Sequence, residues 1–150
     1  MIKKILSMQQ KYVKQNNSND ILYFSLKLKS DEFKSLHPEL TVEVNDTPAL
    51  SIDELENIVK SRNNSSKMSM LVIDDLWLMA TQNTYTTKKE EIEEILSKIK
   101  QLVEQEIITV LALVLLSKYA PNNYSLRKEL ESYGNFIRWA DLIVKSSSEI

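Results

Sequence analysis

One glycine, Gly134, in 150 residues constrains this chain more than any other feature. Loops that close several backbone amides around a phosphate rely on residues free to take positive φ and to let the backbone approach closely, and glycine is the residue that does both at little steric cost. The chain is therefore not expected, by itself, to bind and hydrolyse a nucleoside triphosphate through a glycine-built loop. Cysteine is absent and histidine occurs once, which removes disulfide frameworks, thiolate zinc sites, thiol nucleophiles and imidazole metal clusters together.

With 43% hydrophobic residues, the chain is expected to form one domain over residues 1–150 with a core that needs no staple. Nineteen basic residues against 21 acidic ones give a net charge of −2, so nothing global attracts nucleic acid or an anionic membrane. Gln9, Gln10 and Lys11 interrupt the apolar start, which argues against an export signal. The longest apolar stretch, Ile107 to Leu116, is far shorter than the roughly 20 residues a bilayer requires. These features predict a soluble, cytoplasmic protein with no membrane partner.

Hydrophobic periodicity organises the chain. Ile2, Ile5, Leu6, Tyr12 and Val13 predict a first helix, and Ile21 to Leu26 a strand. Ser30 is placed to cap a short helix carrying Phe33 and Leu36, stopped by His37-Pro38, and Thr41 to Val44 reads as a brief strand. Ser51 with Glu54 forms a capping box for a helix carrying Ile52, Leu55, Ile58 and Val59 that dissolves over Asn63 to Ser66. Met70 to Ile73, closed by Asp74 and Asp75, has the pattern of a buried strand whose carboxyl end emerges at a site edge. Thr87 and Glu90 make a second capping box, opening a helix with the stripe Ile92, Ile95, Leu96, Ile99, Leu102 and Val103. Ile107 to Leu116 predicts a strand buried on both faces, followed by a helix from about Ser125 to Gly134 and a last strand at Leu142 to Val144. Such alternation predicts an α/β fold, a mostly parallel sheet flanked by helices, with functional groups at the carboxyl ends of the strands.

Four segments, YFSLKLKSDEF (23–33), VNDTPALSIDELENIVKSR (44–62), LVIDDLWLM (71–79) and ADLIV (140–144), resemble in order and spacing the RecA-like carboxy-terminal motor domain of DnaB-type replicative DNA helicases. That family shows a Phe-Ser-Leu-Glu-Met strand end, an Asp-x-x-x-Leu-Ser/Thr-x-x-Glu/Asp-Leu segment, a Val-Ile-Asp-Tyr-Leu-Gln-Leu-Met Walker B strand and Ala-Asp-Leu-Ile/Val near the last core strand. The resemblance covers nearly the whole chain. It implies a RecA-like three-layer sandwich, here expected to lack the strand that leads into the phosphate loop, and Mg·ATP as the family's ligand.

The same resemblance marks departures at the chemistry. Counted back from Phe24, the chain begins about where the family's Gly-x-x-x-x-Gly-Lys-Ser/Thr loop ends, and Lys3 or Lys4 falls near the loop lysine without the amides that would make it useful. Lys27 occupies the position of the glutamate that resembles the family's activator of attacking water, and a charged lysine cannot accept that proton. Leu115 stands at the polar sensor position, and Lys145-Ser146-Ser147-Ser148 does not reproduce the segment supplying an arginine finger. Asp74 matches the Walker B aspartate and is the candidate metal residue, with Asp75 beside it; the bland reading is two polar residues at a strand end.

By the same resemblance, 80–89 and 118–127 fall where the family meets single-stranded DNA. They offer Lys88, Lys118 and Arg127 to phosphates, with Lys89 nearby, and Tyr85, Tyr119 and Tyr124 as stacking surfaces; the alternative is solvated loops. Trp77 and Trp139 read as packing residues, and Glu90-Glu91 and Glu93-Glu94 as a charged helix face able to pair with Lys98. The leading expectation is a DnaB-like protein that is not an enzyme: ATPase-inactive, with no cofactor and no catalytic or nucleotide-binding residue, retained as a binding or assembly module in replication. Its expected partners are copies of itself or a replication protein. The alternatives are a composite ATP-dependent helicase whose phosphate loop comes from upstream or from a partner, and a decayed remnant without function.

Overall fold

A computed structural model describes residues 21–40, 42–114 and 139–142. Its strands are β1 (Ile21–Ser25), β2 (Glu43–Asn45), β3 (Met70–Asp74) and β4 (Thr109–Leu113); its helices are α1 (Ser30–Leu36), α2 (Ile52–Ser65) and α3 (Lys88–Glu106), with a 3-10 turn at Leu76–Leu78. The strands form one sheet in the order β2-β1-β3-β4, every described pairing parallel. Each strand is followed by chain that must cross back over the sheet before the next can pair, which is the expected α/β architecture.

Strand alternation divides the core between the two faces of the sheet. Leu22 and Phe24 of β1 join Leu71 and Ile73 of β3 in a cluster with Leu55 and Val59 of α2 and with Ile92, Ile95, Ile99 and Leu102 of α3. The intervening residues Ile21, Tyr23, Met70 and Val72 face the other way and pack with Phe33 of α1 and with Leu40. The helices therefore lie on both faces, giving three layers with β1 and β3 buried between them.

Local chemistry sets the helix boundaries. Ser51 Oγ accepts the Glu54 amide at 3.2 Å while a Glu54 carboxylate oxygen accepts the Ser51 amide at 2.9 Å, so the first predicted capping box forms. Thr87 and Glu90 form the second in the same way. At α1 the expected cap is corrected: Lys29 occupies the cap position without a side-chain bond, and the Ser30 amide donates to Asp46 Oδ2 at 2.8 Å. The short strand β2 begins two residues later than the apolar pattern places it.

Helix α2 also outlasts its expected end, because Asn63 is buried and fully employed. Its Oδ1 accepts the Met68 amide at 2.9 Å and its Nδ2 donates to Glu106 Oε2 at 2.7 Å, tying the ends of α2 and α3 to the start of β3. The scarcity of glycine shows at two turns, where Ala49 at φ 50° and Ile107 at φ 54° take left-handed conformations. Ile107 caps α3 and is 88% exposed, so the strand expected from Ile107 starts instead at Thr109.

Burial of β4 on both faces is likewise corrected. Thr109 and Ala112 are exposed and Val110, Leu111 and Leu113 half-buried; among the described residues β4 has a strand partner on one side only. The expected first helix and the helix from Ser125 to Gly134 lie outside the described residues. Of the expected last strand only Leu142 is described, exposed and outside any strand.

Candidate functional site at the carboxyl end of the third strand

The carboxyl ends of β1 and β3 lie side by side, with Ser25 opposite Asp74 in the strand register. Ser25 shapes the exit from β1: its hydroxyl donates to the Leu28 carbonyl at 2.7 Å and accepts the Leu28 amide at 3.2 Å. The Leu26 amide donates to the Asp74 carbonyl at 2.6 Å, prolonging the strand contact. This turn carries Lys27 across the end of β3.

The Lys27 ammonium lies 3.0 Å from Asp75 Oδ2 and 3.4 Å from Asp74 Oδ1. The second oxygen of Asp74 accepts the Tyr23 phenol at 2.7 Å, and Asp75 Oδ1 accepts the Trp77 amide at 3.1 Å as the cap of the 3-10 turn. Every one of the four carboxylate oxygens thus has a donor within reach. Partial burial alone would lower the lysine, but the hydrogen bond to Asp75 and the field of both carboxylates outweigh it and hold the ammonium above its ordinary value. Burial, with the Asp74 carboxylate beside it, pushes the Tyr23 phenol well up, so it acts here as a neutral donor.

Lys27 and Asp74, which the sequence marks separately, therefore meet in one site. Tyr23 is a member that sequence reasoning misses; the only signal for it is its place two residues before Ser25 on the opposite strand face from Phe24. Lys88 lies at the first turn of α3, where its ammonium donates to the Met79 carbonyl at 3.1 Å and to Glu91 Oε2 at 2.7 Å. Tyr85 donates its phenol to Glu94, which also pairs with Lys98 at 3.0 Å. Leu115, Lys118, Arg127, Tyr119 and Tyr124 lie outside the described residues. Trp77 and Trp139 both pack against the main core cluster, and the Trp139 indole donates to Glu93 Oε2 at 2.8 Å.

The donor set also answers whether this edge fits the divalent cation that the family resemblance implies. A magnesium ion takes oxygen ligands in near-octahedral geometry and usually binds through one or two carboxylates. Both carboxylates are here, yet an ammonium already bridges them and neutral donors hold their remaining oxygens. In this arrangement the residues do not fit the ion. Among the described residues no group of three or more potential acidic, histidine or cysteine ligands gathers elsewhere.

A parallel sheet with helices on both faces and a carboxylate-bearing interior strand end defines a three-layer α/β protein. The family model described as "DnaB-like helicase C terminal domain" matches residues 1–132, and the chain belongs to that family. Among solved structures, the chain is similar to a DnaB-like replicative helicase described with its interactions with primase: TM-score 0.71, 15% identity, covering 89% of this chain and 42% of that one. It is similar also to a structure described as an ATPase domain, with TM-score 0.62 and 15% identity over 83% of this chain and 60% of that one. The chain thus spans less than two thirds of the length of either structure. A comparison with curated protein sequences returns no match.

These findings overturn the expectation that the chain is not an enzyme. It belongs to a helicase family and shares its fold with a domain described as an ATPase. Lys27 and Leu115 alone do not establish inactivity. A residue type at one motif position reports the charge available there, whereas catalysis belongs to a site assembled from several elements. Concerning membranes, no helix of the described residues is long and apolar enough to cross one.

Proposed function

We propose that this chain serves DNA replication as a binding and assembly module of DnaB-type helicase character, associating with copies of itself or with a replication protein. The observation that carries the reading is the Lys27–Asp74–Asp75 arrangement within a retained DnaB-type core. The strand end that resembles the family's carboxylate edge carries Asp74 and Asp75, and the Lys27 ammonium balances one of their two negative charges. The replicative helicase with a similar fold is described in terms of its interactions with primase, which supports a replication protein as the partner class.

The test is co-sedimentation of the purified chain, at micromolar concentration, with the DnaB-type helicase and the primase of the same cells. Association with either, or a self-associated species alone, supports the reading; a clean monomer that migrates apart from both sinks it. ATP hydrolysis by the helicase, followed as the chain is added, separates assembly from the composite motor: turnover rising in proportion to bound chain assigns the chain a share in the catalytic site. Lys88, Lys118 and Arg127 are the positions proposed to meet single-stranded DNA. A salt titration of oligonucleotide binding whose slope falls by about 0.7 for each of these residues replaced by alanine supports that assignment, and an unchanged slope removes it.

A further inference from the structure

The misfit between the β3 edge and a divalent cation leads to a specific role for Lys27. We propose that the Lys27 ammonium is a tethered cation that fills the seat between Asp74 and Asp75, so that the chain excludes a divalent ion from the strand end where its family would place one. This rests on reading the end of β3 as the motor family's carboxylate edge.

Three features of the geometry support it. The ammonium lies within 3.4 Å of oxygens from both carboxylates, so it bridges the pair and does not simply cap one of them. The Ser25–Leu28 turn fixes the backbone on either side of Lys27 and aims its stem across the sheet, which keeps the charge at high local concentration compared with a free ion. The remaining oxygens are taken by the Tyr23 phenol and the Trp77 amide, so an incoming ion would have to break bonds to protein donors besides displacing the lysine. An ordinary surface ion pair would contribute little and would exclude nothing. Here the Asp75 side chain is 5% exposed while that of Lys27 is 36% exposed, so the ammonium reaches a buried anion from the solvent side.

The experiment compares wild type, K27Q, K27R and the double variant K27Q/D74N for Mn²⁺ binding, read by the paramagnetic signal of free Mn²⁺ and by thermal unfolding in EDTA and in Mn²⁺. K27Q is expected to bind one Mn²⁺ at least about tenfold tighter than wild type, the effect of removing a competing tethered charge, and to melt higher in Mn²⁺ than in EDTA. Wild type and K27R, which keep the cation, are expected to show neither change, and K27Q/D74N loses the gain. Equal Mn²⁺ affinity in wild type and K27Q overturns the proposal, as does the absence of binding in both. Should K27Q unfold in EDTA, recovery of its far-ultraviolet dichroism on adding Mn²⁺ supports the proposal and failure to recover overturns it. None of these readouts needs nucleotide, DNA or a helicase, so the outcome is independent of the association experiment.

Discussion

Tyr23 and Asp74, 51 residues apart in sequence, are joined across adjacent parallel strands by a 2.7 Å hydrogen bond from the phenol to the carboxylate. The tyrosine ring packs against Phe33 with centroids 4.4 Å apart, so the bond links the α1 face of the sheet to the carboxylate edge. Replacing Tyr23 by phenylalanine keeps the ring and removes only the donor. The expected loss is about 1.5–3 kcal/mol, typical for a hydrogen bond to a charged group, measured by urea unfolding; a midpoint unchanged from wild type would show that the bond contributes nothing.

Ile107 holds a left-handed conformation that is disfavoured for a β-branched residue, and it does so while 88% exposed. The position is a helix carboxyl cap, where glycine is the usual solution. Ile107→Gly is therefore expected to stabilise the protein by about 0.5–1 kcal/mol despite the added freedom of the unfolded chain. A lower melting temperature for the glycine variant would contradict this.

Asn63 satisfies the buried Met68 amide and reaches Glu106 at the far end of α3. Alanine at this position leaves that amide without its acceptor, at a cost of about 1–3 kcal/mol. Amide hydrogen exchange should show the loss first at Met68 and the start of β3; uniform protection equal to wild type would count against the assigned role.

Glu54 is held below the ordinary carboxylate value by the Ser51 amide, and Asp46 likewise by the Ser30 amide. Both groups are depressed in the folded state, so their contribution is present above the unfolded value and is lost as pH falls through the folded one, below about pH 5. A variant carrying E54Q and D46N keeps acceptors at both sites but removes this titration. Its melting temperature should fall less between pH 6 and pH 3, roughly the interval over which carboxylate linkage acts, than that of wild type, and parallel curves would refute the assignment.

Much of the fold was legible because it depends on short-range pattern. Ser51 with Glu54 and Thr87 with Glu90 announce helix starts, since each box closes within three residues. The apolar run before Asp74 is short and rich in branched residues, which fits a strand buried on both faces, and Met70 to Ile73 are all buried. The motif order supplied the family, and residues 1–132 match it. The same local reading puts the cap of α1 at Ser30, ends α2 too early and starts β4 too soon. In each case the deciding group is non-local or conformational: Asp46, Glu106 and the left-handed Ile107.

Local pattern alone gave the element types between Ile21 and Leu113, the parallel α/β class, and Lys27 and Asp74 as positions of interest. That these two meet, that Asp75 shares the same ammonium and that Tyr23 completes the carboxylate's bonding follow from the folded arrangement of the strands. Periodicity is set by neighbours three or four residues away, whereas the site exists only because parallel pairing brings the ends of β1 and β3 together over a separation of about fifty residues.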